Sequence, residues 1–191
     1  MTLDLLLANP YQHNQLPGFR IIRLLELEPA NEESAPLRIT LKDANLDSYF
    51  LPRYEAVSYV WGPPEFTRAI TCNRKTLCIT PSCERILRGL RRKRRSRLLW
   101  IDSICINQRN TNERSSQVRM MDEIYKSANR VLIWLEVSGP EISSFFKYLA
   151  YCARHCETYE GGGFVQKLRT ILRFLRTCQC TGLQNLLRMK C

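Results

Sequence analysis

The sequence predicts an α/β fold built on a parallel sheet, with an added β-hairpin and a helical C-terminal tail. Two apolar runs, "LLWI" (98–101) and "RVLIWL" (130–135), flank a helical pattern within about 40 residues, the order of a βαβ crossover. Their near-continuous hydrophobicity fits strands covered on both faces, so the two are expected to lie side by side and parallel. Shorter strand-like runs precede them, and the charge and apolar patterns change after Val137. Three segments follow: N-terminal strands over 1–53, a core over 54–136, and a helical, Cys-rich, basic tail over 137–191.

Taken in order, "FRIIRLLEL" (19–27) and "LRITLK" (37–42) read as strands, the second with strict alternation. "YEAVSYVWG" (54–62) is a third, ended by Gly62 and the Pro63, Pro64 pair. "AITCNRKTLCIT" (69–80) reads as two short strands around a turn at Asn73 to Lys75, although it lacks the glycine that hairpin turns favour. From Pro81 the spacing predicts a helix, with Ser82 as N-cap, Glu84 in the first turn, and Ile86, Leu87 and Leu90 on one face. A polar loop "NQRNTN" (107–112) leads into a helix from about Glu113 to Ala128. At 100° per residue, Val118, Met121, Ile124, Tyr125 and Ala128 share its apolar face. In the tail, residues 140–156 and 164–178 read as helices around the "EGGG" break, the second basic and amphipathic.

With 45% hydrophobic and 25% charged residues the chain is of the globular class. No apolar run reaches the roughly 18 residues that span a bilayer. Asp4 stands where a secretory signal would carry positive charge, so an intracellular, cytoplasmic location is expected. Nine scattered cysteines, several inside strand-like runs, fit reduced thiols better than a disulfide scaffold. The net charge of +11 is concentrated in "RGLRRKRRSR" (88–97) and in the tail. That run admits a nuclear address, but no nucleic-acid recognition motif accompanies it, and a solvated helix end is the favoured reading. Cys152, His155, Cys156, Cys178 and Cys180 match no common zinc-finger spacing, so no metal is expected.

Candidate site residues gather where α/β sheets keep ligands, at the carboxyl ends of strands near a following helix. Asp102 interrupts an apolar run there, with Ser103, Asn107 and Gln108 close behind. Burying a carboxylate without a partner costs several kcal/mol, so the acid needs a reason. Glu113 opens the next helix, and Gln117 lies one turn on, both at the edge of the apolar stripe. Each has a structural alternative: an acid in a first helical turn suits the dipole, and an Asp at a strand end caps backbone. Trp61 and Trp100 are of a type more often found in the core than as ligand platforms.

Three blocks, "YEAVSYVWG" (54–62), "LWIDSICINQ" (99–108) and "ERSSQVRMMDEIYKSANRVLIWL" (113–135), resemble in order and spacing the heterokaryon-incompatibility (HET) domain of filamentous fungi. The resemblance implies a fungal intracellular protein of non-self recognition and programmed cell death. It also implies a fold similar to the Toll/interleukin-receptor (TIR) class, a flavodoxin-like sheet, and a continuation longer than this tail. Some of that wider class cleave NAD at the nicotinamide–ribose bond with a glutamate on the helix after a central strand. Glu113 occupies the comparable place and is the catalytic residue so implied, with NAD a substrate rather than a cofactor. On that reading Asp102 and Asn107 position ribose hydroxyls, Ser58 and Gln117 line the site, and Trp61 or Trp100 stacks on a ring. The rival reading is a non-enzymatic signalling module with protein partners or self-association.

Overall fold

The structure, a computed structural model, describes residues 9–136 and 184–190, without side chains for 135, 136 and 184–190. It divides into two compact units, Met1–Ile133 with Leu187–Cys191, and Trp134–Leu186. The first carries the described fold; the second falls almost wholly outside the described residues, as do both expected tail helices and the tail cysteines.

Eight strands and four helices are described: β1 (Ile21–Leu27), β2 (Arg38–Asn45), β3 (Glu55–Tyr59), β4 (Arg68–Cys72), β5 (Lys75–Ile79), α1 (Pro81–Leu90), β6 (Arg97–Ile101), α2 (Asp102–Cys105), α3 (Thr111–Arg119), α4 (Met121–Ser127), β7 (Arg130–Glu136) and β8 (Gln184–Lys190). The strands form one sheet in the order β5-β4-β2-β1-β6-β3-β7-β8. The class is α/β, but the sheet is mixed. β1 runs antiparallel to both of its neighbours, β2 and β6, whereas β3–β6 and β2–β4 are parallel. The expectation that β6 and β7 are neighbours is corrected, because β3 lies between them. Two apolar strands joined through a helix leave room for a third, and sequence order does not reveal the insertion.

β1 occupies an interior position, and Ile22, Arg23, Leu24 and Leu25 are all buried in succession. A strand buried on both faces carries its arginine inward with the leucines, and the consequence appears at the site. β2 shows the expected alternation in its first half, with Ile39 and Leu41 buried and Arg38 and Lys42 exposed. The β4–β5 hairpin turns at Asn73 and Arg74, both with positive φ (48° and 64°). Those are the dihedral signs of the hairpin turn that matches strand twist. Asn73 substitutes for glycine here, since its side chain also accepts from Leu41 N at 2.9 Å.

α1 begins as expected at Pro81, but its cap is Thr80, whose hydroxyl accepts from Cys83 N at 3.2 Å. With Pro81 fixed at the first helical position, the cap must be the residue before it, which places Ser82 inside the helix. The expected 113–128 helix is two helices, broken at Met120 (φ −92°, ψ 0°). The break shifts the phase of the buried stripe: Gln117 and Met120 are buried, while Val118 is 54% exposed. Ile124, Tyr125 and Ala128 keep their expected burial. Tyr54 Oη donates to Ile124 O at 2.5 Å and Tyr125 Oη to Val57 O at 3.3 Å, tying α4 to β3.

Three residues of the basic run are consumed internally. Arg88 and Arg91 donate to backbone carbonyls of the 32–36 loop, and Arg97 pairs with Glu55. Among the described residues no helix is long and apolar enough to cross a membrane.

Candidate functional site

β3 and β6 run parallel, so their carboxyl ends lie together, and each is followed by a residue of the site. Beyond β3 the chain turns through Gly62, whose φ of +71° suits glycine alone and where a Cβ would meet Ser82 Oγ at 3.3 Å. The turn presents Trp61 to the first residue after β6. Trp61 Nε1 donates to both oxygens of Asp102, at 3.1 and 3.2 Å. Ser103 N donates to Asp102 Oδ1 at 2.7 Å, and Gln108 Nε2 to Asp102 O at 2.9 Å. Tyr59 Oη donates to Ser103 Oγ at 2.6 Å, and that hydroxyl faces Cys83 Sγ at 3.7 Å.

Burial pushes the Asp102 carboxyl up from 3.8 to about 6, against the pull of the Ser103 N–H and the Trp61 indole. The carboxyl is therefore ionised near neutrality yet close enough to its midpoint to exchange a proton. Burial likewise raises the Cys83 thiol to about 11 and the Tyr59 hydroxyl above its ordinary value, so both stay protonated and act as neutral polar groups.

A second cluster lies across the 106–110 loop. Glu113 Oε1 accepts from Arg23 Nη1 at 2.5 Å and from Asn107 N at 2.8 Å, and Oε2 accepts from Arg23 Nη2 at 3.1 Å. The other two Arg23 Nη hydrogens go to Cys105 O and Asn14 O. The two side chains are 3% and 8% exposed. Burial would raise the Glu113 carboxyl, but the Arg23 and Asn107 hydrogen bonds outweigh it and hold the group below its ordinary value. His13 Nε2 donates to Ile104 O at 2.8 Å, and burial lowers its pKa, keeping the ring neutral. Asn110 caps α3 by accepting from Asn112 N and Glu113 N, which fixes the Glu113 backbone.

Of the seven expected site residues, the structure joins Trp61 with Asp102, and Asn107 with Glu113. Trp100 is wholly buried and stacks edge-on against Tyr125 at 5.6 Å, which removes it as a surface platform. Ser58 is 7% and Gln117 2% exposed; Gln117 Nε2 donates to Ile21 O at 2.9 Å, so both belong to the interior. Glu113, expected as the catalytic carboxylate, is a buried ion-pair partner. Sequence reasoning missed Tyr59, His13 and Arg23. Arg23 carried the same signal as Asp102, a charge inside an apolar strand.

The heterokaryon incompatibility protein (HET) family model matches residues 54–161. The chain belongs to that family. A HET relative, "Heterokaryon incompatibility protein 6, OR allele" of Neurospora crassa, is 38% identical over 134 residues, covering 63% of this chain. Those residues are 19% of the relative, so the chain spans about a fifth of its length. No solved structure matches the chain. The HET match begins at Tyr54 and so takes in Trp61, Asp102 and Glu113, while Arg23 stands outside it.

Proposed function

We propose that the chain is a signalling domain of fungal heterokaryon incompatibility, acting in non-self recognition and programmed cell death by cleaving NAD at its nicotinamide–ribose bond. Family membership and the relative's name support the heterokaryon-incompatibility part of the reading. The chemical half is supported by one observation: a half-buried carboxylate, Asp102, with its pKa lifted to about 6, beside an indole at the joined carboxyl ends of two parallel strands. A TIR-like kinship is part of this reading, supported by the parallel β3–β6 pair and the helices after β6 and not by the antiparallel β1 and β2.

In this reaction the C1′–N bond breaks and its electron pair leaves with the nicotinamide ring, which departs neutral and needs no strong acid. The ribose carbon gains positive charge, and a nearby carboxylate stabilises it. Water then adds at C1′ and gives up a proton, which Asp102 is suited to accept. Asp102 thus takes the role first expected of Glu113. Glu113, already neutralised by Arg23, acts as a positioning residue that holds the Asn107 loop. Trp61 orients Asp102 and offers a ring face to the substrate.

The test is nicotinamide release from NAD by the purified chain. Asp102→Asn should lower turnover by about 10²–10³ with the fold retained. A folded wild type that releases no nicotinamide at any protein concentration, while still triggering cell death, would sink the chemical half and favour assembly alone.

A further inference from the structure

The opposite ends of the same strands hold a concave basic pocket. Its cavity is about 330 Å³, and its lining includes Arg53, Arg92, Arg97 and Arg130, with Glu55 and Asn129. β6 separates it from Asp102: Arg97 opens that strand and Asp102 follows its end, roughly 16 Å away at about 3.3 Å per residue. The two sites are distinct.

Its charges are unequally satisfied. Glu55 is buried and engaged by Arg97 Nε at 2.5 Å, with Arg92 Nη2 only at 4.0 Å. Arg97 also donates to Leu90 O at 3.0 Å, so this pair forms a neutral floor. Arg53 and Arg130 make no ion pair or side-chain hydrogen bond among the described residues, and Arg92 has only its long approach to Glu55. Three arginines thus line one cavity with almost no carboxylate among the described residues to answer them. Asn129 N donates to Tyr54 O at 2.8 Å, which fixes the backbone on which Arg130 and Arg53 are carried. Planar guanidinium forks match the paired oxygens of phosphate, which can take two parallel N–H donors from one guanidinium.

We propose that this pocket binds a small phosphorylated ligand, through Arg53 and Arg130 on its walls and Arg92 at its rim. The volume is at the small end of ligand pockets, which suits a phosphate or diphosphate group with a compact substituent rather than a nucleic-acid duplex. The exposed Lys93, Arg94 and Arg95 beside Arg92 raise the local anion concentration without touching the ligand.

Calorimetric titration of the full chain with inorganic pyrophosphate tests this. Arg53→Gln with Arg130→Gln should weaken binding about tenfold or more. Lys93→Gln with Arg94→Gln removes the same charge from outside the pocket and should change it less than about twofold. Should the first pair lose its native circular dichroism, Arg53→Lys with Arg130→Lys keeps the charge, and several-fold weaker binding is still expected because the fork is gone. Equal weakening by the inner and outer pairs overturns the proposal, as does no pyrophosphate binding at low salt. A single-stranded oligonucleotide bound more tightly than pyrophosphate through the same two arginines would make the partner a nucleic-acid backbone and overturn the small-ligand assignment.

Discussion

Arg23 and Glu113, ninety residues apart in sequence, meet in the interior through two parallel hydrogen bonds of 2.5 and 3.1 Å. Arg23 sits in β1, outside the HET match, and Glu113 sits within it, at the start of α3. The pair clamps the N-terminal segment and the 106–110 loop together, since Arg23 also holds Asn14 O and Cys105 O and Glu113 also holds Asn107 N. The N-terminal strands are thus structurally part of the site-bearing domain rather than a leader to it.

Glu113→Gln should destabilise the fold by about 3–5 kcal/mol, because it leaves the Arg23 guanidinium buried without its counter-charge. Replacing both partners, Arg23→Met with Glu113→Leu, should recover most of that loss, since an apolar pair needs no desolvation. Denaturant unfolding of the three proteins measures it. A single variant as stable as wild type would mean the pair is more solvated than its exposure indicates. Lost turnover in Glu113→Gln by itself therefore does not assign a catalytic role.

Asp102 carries the opposite pH signature from Glu113. Its carboxyl rises on folding from 3.8 to about 6, so between those values the native state binds more protons than the unfolded chain. Stability on its account is greatest below about pH 4 and falls as pH rises to about 6, by up to roughly 2–3 kcal/mol. Glu113 is depressed instead, so its contribution is present above its unfolded value and is lost as pH falls through the folded one. Asp102→Asn should abolish the decline across pH 4–6 and leave the variant more stable than wild type at pH 7. Thermal melts across that range decide it; an unchanged decline would place the titration elsewhere.

The outline of the fold was legible because the strands from β1 to β7 are marked by apolar runs, whereas β8 falls in the segment expected to be a helical tail and corrects that expectation there. β1, β2, β3, the hairpin and α1 all fall within a few residues of their expected places. What the runs do not encode is lateral order, so the entry of β3 between β6 and β7 was invisible. The break at Met120 was missed because no Gly or Pro marks it, and one shifted turn exchanged Val118 for Gln117 and Met120 in the core. At the site, Asp102 stood out as a charge among apolar neighbours. Trp61 was a candidate as a ring platform, but its hydrogen bond to Asp102 was not legible until the turn at Gly62 that aims it is known. Arg23 had the same mark as Asp102, a charge among apolar neighbours, and was passed over because the run around it reads as a strand.

Thr80 and Ser82 separate a real cap from an apparent one. Thr80→Ala removes the acceptor for Cys83 N and should cost about 1 kcal/mol. Ser82→Ala touches no orphan helix donor, and its loss should stay within about 0.5 kcal/mol, its hydroxyl accepting, among the described residues, from Arg85 at 3.1 Å. Chemical denaturation with both variants reads the difference, and a larger cost at Ser82 would return the cap to that residue.

The hairpin turn offers two neighbours with the same backbone strain and different side-chain work. Asn73 and Arg74 both hold positive φ, which costs an L-residue roughly 1–2 kcal/mol in regular left-handed backbone and less in a single turn position. Arg74 makes no hydrogen bond or ion pair among the described residues, so Arg74→Gly relieves strain and surrenders nothing but unfolded-state entropy. It should be neutral or stabilising by up to about 1 kcal/mol. Asn73→Gly relieves the same strain but removes the acceptor for Leu41 N, a donor on β2 beside the parallel β2–β4 pairing. That loss is worth about 1 kcal/mol or more, so Asn73→Gly should be the less stable of the two. Hydrogen exchange at the Leu41 amide gives an independent reading, with protection lost in Asn73→Gly and kept in Arg74→Gly. Equal stability and equal protection would mean that water replaces the Asn73 carbonyl at no cost, and that the residue is chosen for its backbone alone.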